Sequence, residues 1–446
     1  MIKIREKIGY GLGDTAANLV FQMVINFMMF FYTDVYGLSA AAVGTLMLVV
    51  RLFDGVTDPI MGGIADRTKT RWGTYRPYLI LTAIPYAVLA VLTFTTPDFT
   101  EQGKLVYAYV TYALLMTAYT AVNVPYSALG GVLTTENSER TSIQSYRFAL
   151  AMSGGALVSA FTMPMVDYFA GPDGDRQAGF QMAMGVFAIL AFICFVVCFM
   201  TTKERVKPKI QPHQSIWKDV ASLSQNKPFL LLAAASFILL IMTALRGATT
   251  PYYISYYVGR EDILSQFLTA GMLASIAGAV CMNWLGSRFC KVAIVKFGAG
   301  LIAATHLALY LLPPDQLPLI FAMSMLGGFS QMLLVPAVFA MVADTADYNA
   351  LKTGSNTMAM SYSGHLLVLK FGIALGGAFA GWILAASGYV ANQQQTAGAL
   401  QGILFCYALF AVITGLAMIA IFHFYKLDDK AMDDIHVQLK AQTSTS

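Results

Sequence analysis

The sequence predicts an all-α membrane protein of twelve transmembrane helices, arranged as two six-helix bundles. Three observations carry that prediction. Of 446 residues, 57% are hydrophobic and only 12% charged, with a mean hydropathy of +0.62; an ordinary soluble domain is about 25% charged. A soluble core of this length has too little interior for so much apolar surface, so the excess faces lipid. The apolar residues also gather in runs of about 20, the length that crosses a bilayer as a helix. Finally, the basic residues are concentrated in alternate connections.

The first run, 10–34, follows Lys3, Arg5 and Lys7 in the manner of a signal peptide. It carries Asp14 and Asn18, continues past Phe31 and lacks a small-x-small cleavage site, so it reads as a retained span. Runs 40–63, 78–96, 105–127, 145–167 and 179–201 complete an N-terminal bundle, 1–202. The longest polar stretch, 203–227, holds Lys203, Glu204, Arg205, Lys207, Pro208 and Lys209 and reads as a cytoplasmic central loop. Runs 229–253, 266–286, 293–312, 317–341, 359–385 and 400–424 form a C-terminal bundle, 228–426, followed by a tail, 427–446. Turn chemistry punctuates the connections at Thr96-Pro97-Asp98, Gly171-Pro172-Asp173-Gly174 and Pro313-Pro314-Asp315.

Lysine and arginine set the orientation. One set of loops and ends holds 22 of the 28 basic residues, the other only Lys104, Arg176 and Arg260, and the last three lie inside spans. This places both termini in the cytoplasm of a multi-pass inner-membrane protein. It also accounts for the net charge of +4 without nucleic acid. The five cysteines form no framework or metal pattern and read as packing residues. There is no Walker A motif; Gly9-Tyr10-Gly11-Leu12-Gly13-Asp14 follows no strand, and its glycines suit close helix packing.

Ionisable residues within spans are few and expensive, about 2.5–3.5 kcal/mol each at mid-helix, and so are functional candidates. The acids are Asp14, Asp54 and Asp58; the bases are Arg51, Arg246 and Lys370, with His365 besides. Asp54 and Asp58 are four apart and share one helix face. Two carboxylates in low dielectric take up a proton or a cation between them. Either Na⁺ or H⁺ there makes a coupling site, and Lys370 is the natural counter-charge from another span. Tyr119 and Asn123 also share a face, an aromatic surface with an amide, as a sugar ring needs. Asp14 and Asn18 repeat that spacing in the first span.

The runs Tyr32-Thr-Asp-Val-Tyr-Gly37, Arg51-Leu-Phe-Asp54-Gly-Val-Thr-Asp58-Pro59 and Asp66-Arg67-Thr-Lys-Thr-Arg71-Trp72-Gly73 closely resemble the glycoside–pentoside–hexuronide:cation symporter family. That is the melibiose-permease branch of the major facilitator superfamily. Tyr119-Thr120-Ala-Val-Asn123-Val-Pro125-Tyr126, Ala343-Asp344-Thr-Ala-Asp347-Tyr348 and Lys370 fit it too, in order along essentially the whole chain. The resemblance implies cation-binding roles for Asp54, Asp58, Thr120 and Lys370. It implies a sugar-binding role for Tyr119 and Arg147, and gating by the Asp66, Arg67 and Arg71 loop. Where melibiose permease has aspartates in spans one and four, this chain has Asn18 and Asn123, and Ser127 replaces a tryptophan.

The expected protein is therefore a symporter, with no cofactor beyond the coupling cation, Na⁺ or H⁺. It works as a monomer in the lipid bilayer on a small saccharide. Substrate contacts are expected at Asp14, Asn18, Tyr119, Asn123, Arg147, Arg246 and His365, and gating at Arg51, Asp66, Arg67, Arg71, Asp344 and Asp347. Neutral amides at 18 and 123, with Arg147 free to grip a carboxylate, lean towards an acidic saccharide. The rival readings are an uncoupled facilitator, a sugar sensor, a lysolipid transporter of the same fold, and a membrane enzyme. The enzyme reading has only Asp344 and Asp347, with no histidine or ligand set beside them.

Overall fold

A computed structural model describes residues 2–134, 136–205, 223–286, 288–353 and 358–444. Twelve helices among them are long and apolar enough to cross a membrane. We label these α1 (Ile4–Val35), α2 (Ala40–Arg67), α3 (Arg76–Thr93), α4 (Glu101–Val132), α5 (Ser142–Ala170) and α6 (Arg176–Thr201). The second set is α7 (Lys227–Val258), α8 (Glu261–Gly286), α9 (Lys291–Leu311), α10 (Leu317–Lys352), α11 (Met360–Ala386) and α12 (Ala397–Phe424). A further helix, α13 (Asp429–Ser444), occupies the tail and packs Met432 and Ile435 against Tyr425 and Leu427. Most of the central loop, 206–222, lies outside the described residues.

All twelve expected spans are present, but several helices outrun them. α10 continues to Lys352, so Asp344 and Asp347, expected in a loop after 341, sit on its last turns. The segment after Met341 contains neither Gly nor Pro before Gly354, and nothing stops the helix where the apolar run stops. α3 is interrupted at Thr82, which separates Arg76–Leu81 from Ala83–Thr93. Pro85 has no N–H to give the Leu81 carbonyl, so a continuous ladder is impossible there.

The two bundles meet through three helix pairs: α1 with α7, α2 with α11, and α5 with α8. The α2–α11 seam is tight because of two glycines. A Cβ on Gly44 would lie 2.7 Å from the Ala378 carbonyl oxygen, and one on Gly381 2.3 Å from that of Ala40. α1 and α7 end alike, in a π-helical turn (Phe31–Val35 and Tyr253–Val258) and then a glycine of positive φ, Gly37 at 81° and Gly259 at 71°.

These ends build a closed seal away from the basic loops. The Asp34 carboxylate accepts from the Tyr389 hydroxyl at 2.6 and 2.8 Å, from Thr33 at 2.6 Å, and from Tyr256. Tyr252 bridges to Thr33 at 2.6 Å, and the Asn392 amide donates to the Asp34 carbonyl at 2.7 Å. Burial and the neighbouring Tyr252 and Asp34 push the Tyr389 hydroxyl well above the usual tyrosine range, so it stays a donor. Arg176 pairs with Glu261 across the same seam.

Asp34→Ala is expected to strip two tyrosine hydroxyls of their acceptor, about 1–3 kcal/mol for each buried group left unpaired. A cysteine placed in the cleft should then react faster with a membrane-impermeant thiol reagent added from the sealed side. An unchanged labelling rate would show that the cluster does not hold the seal.

At the opposite end, Glu204 fixes the loop between α2 and α3. Its carboxylate accepts from the backbone N–H groups of Thr74 at 2.8 Å, Tyr75 at 2.7 Å and Arg76 at 2.9 Å, at the start of α3. This is the favourable place for an anion on a helix. Arg205 grips Glu6 through both terminal nitrogens, at 2.7 and 2.8 Å, and that hydrogen-bonded carboxylate raises its pKa.

Candidate functional site

Four of the expected residues converge between α2, α4 and α11. Asp54 and Asp58 lie on one face of α2, as their spacing requires. Lys370 Nζ stands between them, 3.1 Å from Asp54 Oδ2 and in contact with Asp58 Oδ2. Thr120 Oγ1 lies 2.6 Å from Asp54 Oδ1 and 3.0 Å from Asp58 Oδ1. A hydroxyl has one hydrogen, so Thr120 donates to one carboxylate at a time. Asp54 is 1% exposed, whereas the side chains of Asp58 and Lys370 keep 29% and 32% of their surface. Asp54 is thus sealed off, while Asp58 and Lys370 stay partly accessible. Pro59 and Pro125 each remove a backbone bond near this level of α2 and α4. Two carboxylates and a hydroxyl are hard oxygen donors of the kind that take Na⁺ or a proton.

A second group lines α1, α4 and α5. Arg147 Nε donates to Asp14 Oδ2 at 2.7 Å, and its guanidinium lies 5.0 Å from the Tyr126 ring centre. Tyr10 stacks on Tyr126 at 4.8 Å. Asn18 donates to the Asp14 carbonyl at 3.0 Å and to its carboxylate at 3.4 Å. Asn123 donates to the Tyr119 hydroxyl at 3.1 Å, while its own carbonyl oxygen is buried without a partner. Tyr119 stacks on Phe21 at 5.5 Å, and Arg51 covers that ring at 5.0 Å. An amide oxygen awaiting a donor beside an aromatic surface is what a sugar hydroxyl and its C–H face would meet.

Some expectations need correction. Arg147 is not free, since Asp14 neutralises it. His365 does not join the other expected contacts: it is fully buried, edge-on to Phe339 at 5.1 Å, and neither ring nitrogen has a partner among the described residues. Five residues on a helix turn it away from the Lys370 face. Of the expected gate residues, Arg51 lies mid-span over the Phe21 ring, and the others lie at the basic end. Asp66 accepts from Tyr75 at 2.7 Å, Arg71 stacks on Trp72 at 4.9 Å, and Arg67 closes α2. Asp344 pairs with Lys291 at 2.6 Å, one turn from Asp347.

Other polar residues were not anticipated. Gln22 and Asn26 extend the Asp14, Asn18 series down the same face of α1, with Asn26 3.5 Å from Gln22. Continuing the i, i+4 ladder would have found them. From the C-terminal bundle come Thr243 and Gln331, which hydrogen-bond at 2.9 Å, and Ser324, whose Oγ accepts at 3.1 Å from the expected Arg246. All are half-buried except Ser324, which is buried, so the cleft is polar on both walls.

Comparison with known proteins shows the family. Residues 9–429 match the MFS/sugar transport protein family. YagG of Escherichia coli strain K12, provisionally named a glycoside/cation symporter, is 39% identical over 98% of this chain and 95% of its own. The isoprimeverose transporter of Lactiplantibacillus pentosus is 34% identical, covering 96% and 90%. A glucuronide carrier protein homolog of E. coli strain K12 is 30% identical, covering 98% and 95%. In fold, the chain is similar to the nucleoside transporter NupG, with a TM-score of 0.64 at 12% identity over 95% of this chain and all of that one. It is also similar to a bacterial homolog of the human lysosomal transporter Spinster in an inward-facing conformation, with a TM-score of 0.66 at 12% identity over 98% and 97%. The chain is a multi-pass membrane transporter of the major facilitator type and belongs to the glycoside–pentoside–hexuronide:cation symporter family.

Proposed function

We propose that the protein imports a glycoside, pentoside or hexuronide across the inner membrane together with Na⁺ or H⁺, by alternating access, as a monomer with both termini cytoplasmic. It performs no catalysis and carries no cofactor. The observation that carries this reading is the Lys370 ammonium held among the oxygens of Asp54, Asp58 and Thr120. An intrinsic cation occupies the place that a transported one would take. A loaded cation neutralises the carboxylates and releases Lys370, which uncouples α2 from α11. Sugar held by Asn18, Tyr119, Asn123 and the Asp14–Arg147 pair then favours the same rearrangement. By linkage, cation and sugar raise each other's affinity by one factor.

The seal at the far end and the basic excess at the other support reading this as a state open to the cytoplasm. Arg51, Asp66, Arg67, Arg71, Asp344 and Asp347 are assigned to its gating, with rearrangement at both ends in each cycle. The test is uptake into proteoliposomes under an imposed Na⁺ or H⁺ gradient, with a panel of glycosides, pentosides and hexuronides. Accumulation above the external concentration, abolished when the gradient is collapsed, is expected for at least one sugar. Uptake indifferent to both ions would make it a facilitator, and binding without uptake a sensor.

A further inference from the structure

We propose that Arg246, and not Arg147, is the anion anchor of the cleft, and that the substrate is a saccharide carrying one carboxylate. This rests on the symporter reading and names the substrate class of that same cleft.

Four basic side chains lie within the spans near the cleft: Arg51, Arg147, Arg246 and Lys370. Lys370 is matched by Asp54 and Asp58, and Arg147 by Asp14; Arg51 makes no ion pair within 4.0 Å among the described residues, but it lies over the Phe21 ring and feels the charge of Asp54. Among the described residues no carboxylate lies within 4.0 Å of Arg246. Its neighbours are neutral: the hydroxyl and carbonyl of Ser324 at 3.1 and 3.4 Å, and the Tyr407 ring at 5.5 Å. Both bonds to Ser324 use one terminal nitrogen, so Nε and the other terminal nitrogen donate to no described protein atom. Both carry N–H groups that remain to donate to an arriving carboxylate, a charge-assisted contact. A membrane-embedded charge without a counter-charge is otherwise disfavoured, and such residues mark substrate paths.

Position agrees with charge. Arg246 is half-buried on the face of α7 that includes Thr243 and Gly247. A Cβ on Gly247 would lie 3.1 Å from Ile25 and 3.6 Å from Asn26, so this face meets α1 at the far end of its polar ladder. From Asn18 to Asn26 is eight residues, about 12 Å along a helix. A sugar ring held at Asn18, Tyr119 and Asn123 thus leaves room for a second unit to extend towards Arg246. Near the cleft the bases outnumber Asp14, Asp54 and Asp58 by one, and a bound cation widens that excess. A monoanionic substrate narrows it again.

Arg147 is a poorer anchor for a physical reason. A carboxylate arriving there would lie beside Asp14, and like charges that close repel.

The experiment uses the full-length protein in lipid nanodiscs. Dissociation constants are measured, with Na⁺ and without, for matched methyl glucosides and glucuronides and methyl galactosides and galacturonides, as α and β anomers and as disaccharides. At least one hexuronide is expected to bind more tightly than its neutral counterpart. Arg246→Gln should erase that preference, a loss of about ten- to a hundredfold for a charge-assisted contact. Arg246→Lys, which keeps the charge and has fewer donors, should retain part of it. Each variant's cation-dependent thermal stabilisation reports on the Asp54–Asp58 site and certifies its fold. Tighter binding of every neutral partner, no binding of any hexuronide, or a preference that survives Arg246→Gln overturns the proposal. Those results leave the symporter reading intact if neutral sugars accumulate on a cation gradient. Failure of any sugar to accumulate on either gradient overturns the symporter reading itself.

Discussion

Asp54→Asn and Asp58→Asn are each expected to abolish uphill sugar accumulation, taking the steady-state ratio of internal to external sugar to about one. Each substitution keeps the shape and removes a charge, leaving the Lys370 ammonium facing one carboxylate in place of two. A hydrogen bond to a charged group contributes about 1.5–3 kcal/mol, so the affinity for the coupling cation should fall about ten- to a hundredfold. Asp54→Asn should be the more severe, because Asp54 is 1% exposed and engages both Thr120 and Lys370 from its buried position. Downhill exchange of sugar, which needs no cation gradient, should survive better than accumulation in both variants. Uphill accumulation at the wild-type level in either one, at equal expression, would remove the cation-site assignment.

Lys370→Ala should be nearly as damaging, but to stability as well as to coupling. It leaves two carboxylates on one helix face with no counter-charge. Breaking a buried pair from one side costs about 3–5 kcal/mol, and the partial exposure of Asp58 and Lys370 places this case near the lower figure. Saturating Na⁺ should restore part of the loss if Na⁺ is the coupling ion. The double variant Lys370→Ala/Asp58→Ala should be more stable than the sum of the two single losses implies. Thermal unfolding of the four proteins in a double-mutant cycle measures this. Strict additivity would show that the two side chains do not interact.

The spans were legible because each needs about 20 apolar residues, and the chain supplies that signal twelve times. Their ends were not, because a helix leaves the membrane without breaking wherever its sequence allows. The last turns of α10 did so, and the break at Thr82 needed attention to Pro85. The shared face of Asp54 and Asp58 was legible from spacing. Their partners lie on other helices, where spacing within one segment carries no information: Lys370 was legible as the intramembrane base that a carboxylate pair needs, and family resemblance supplied Thr120. Asp34 escaped notice because a carboxylate at the end of a span looks like an ordinary interfacial residue. Only folding brings Tyr256, Tyr389 and Asn392 around it. His365 misled for the converse reason, since a lone intramembrane histidine reads the same whether it faces a cleft or a phenylalanine.

The ammonium of Lys370 also bears on how the protein feels membrane voltage. Each elementary charge moved through 100 mV is worth about 2.3 kcal/mol. An empty carrier with bare Asp54 and Asp58 would present two negative charges to that field on every return stroke. With Lys370 drawn between them, the group presents one. A side chain tethered to the opposite bundle thus acts as a counter-ion that never leaves, and it halves the electrical work on the empty return. Turnover should then depend less steeply on membrane potential than two exposed carboxylates would dictate.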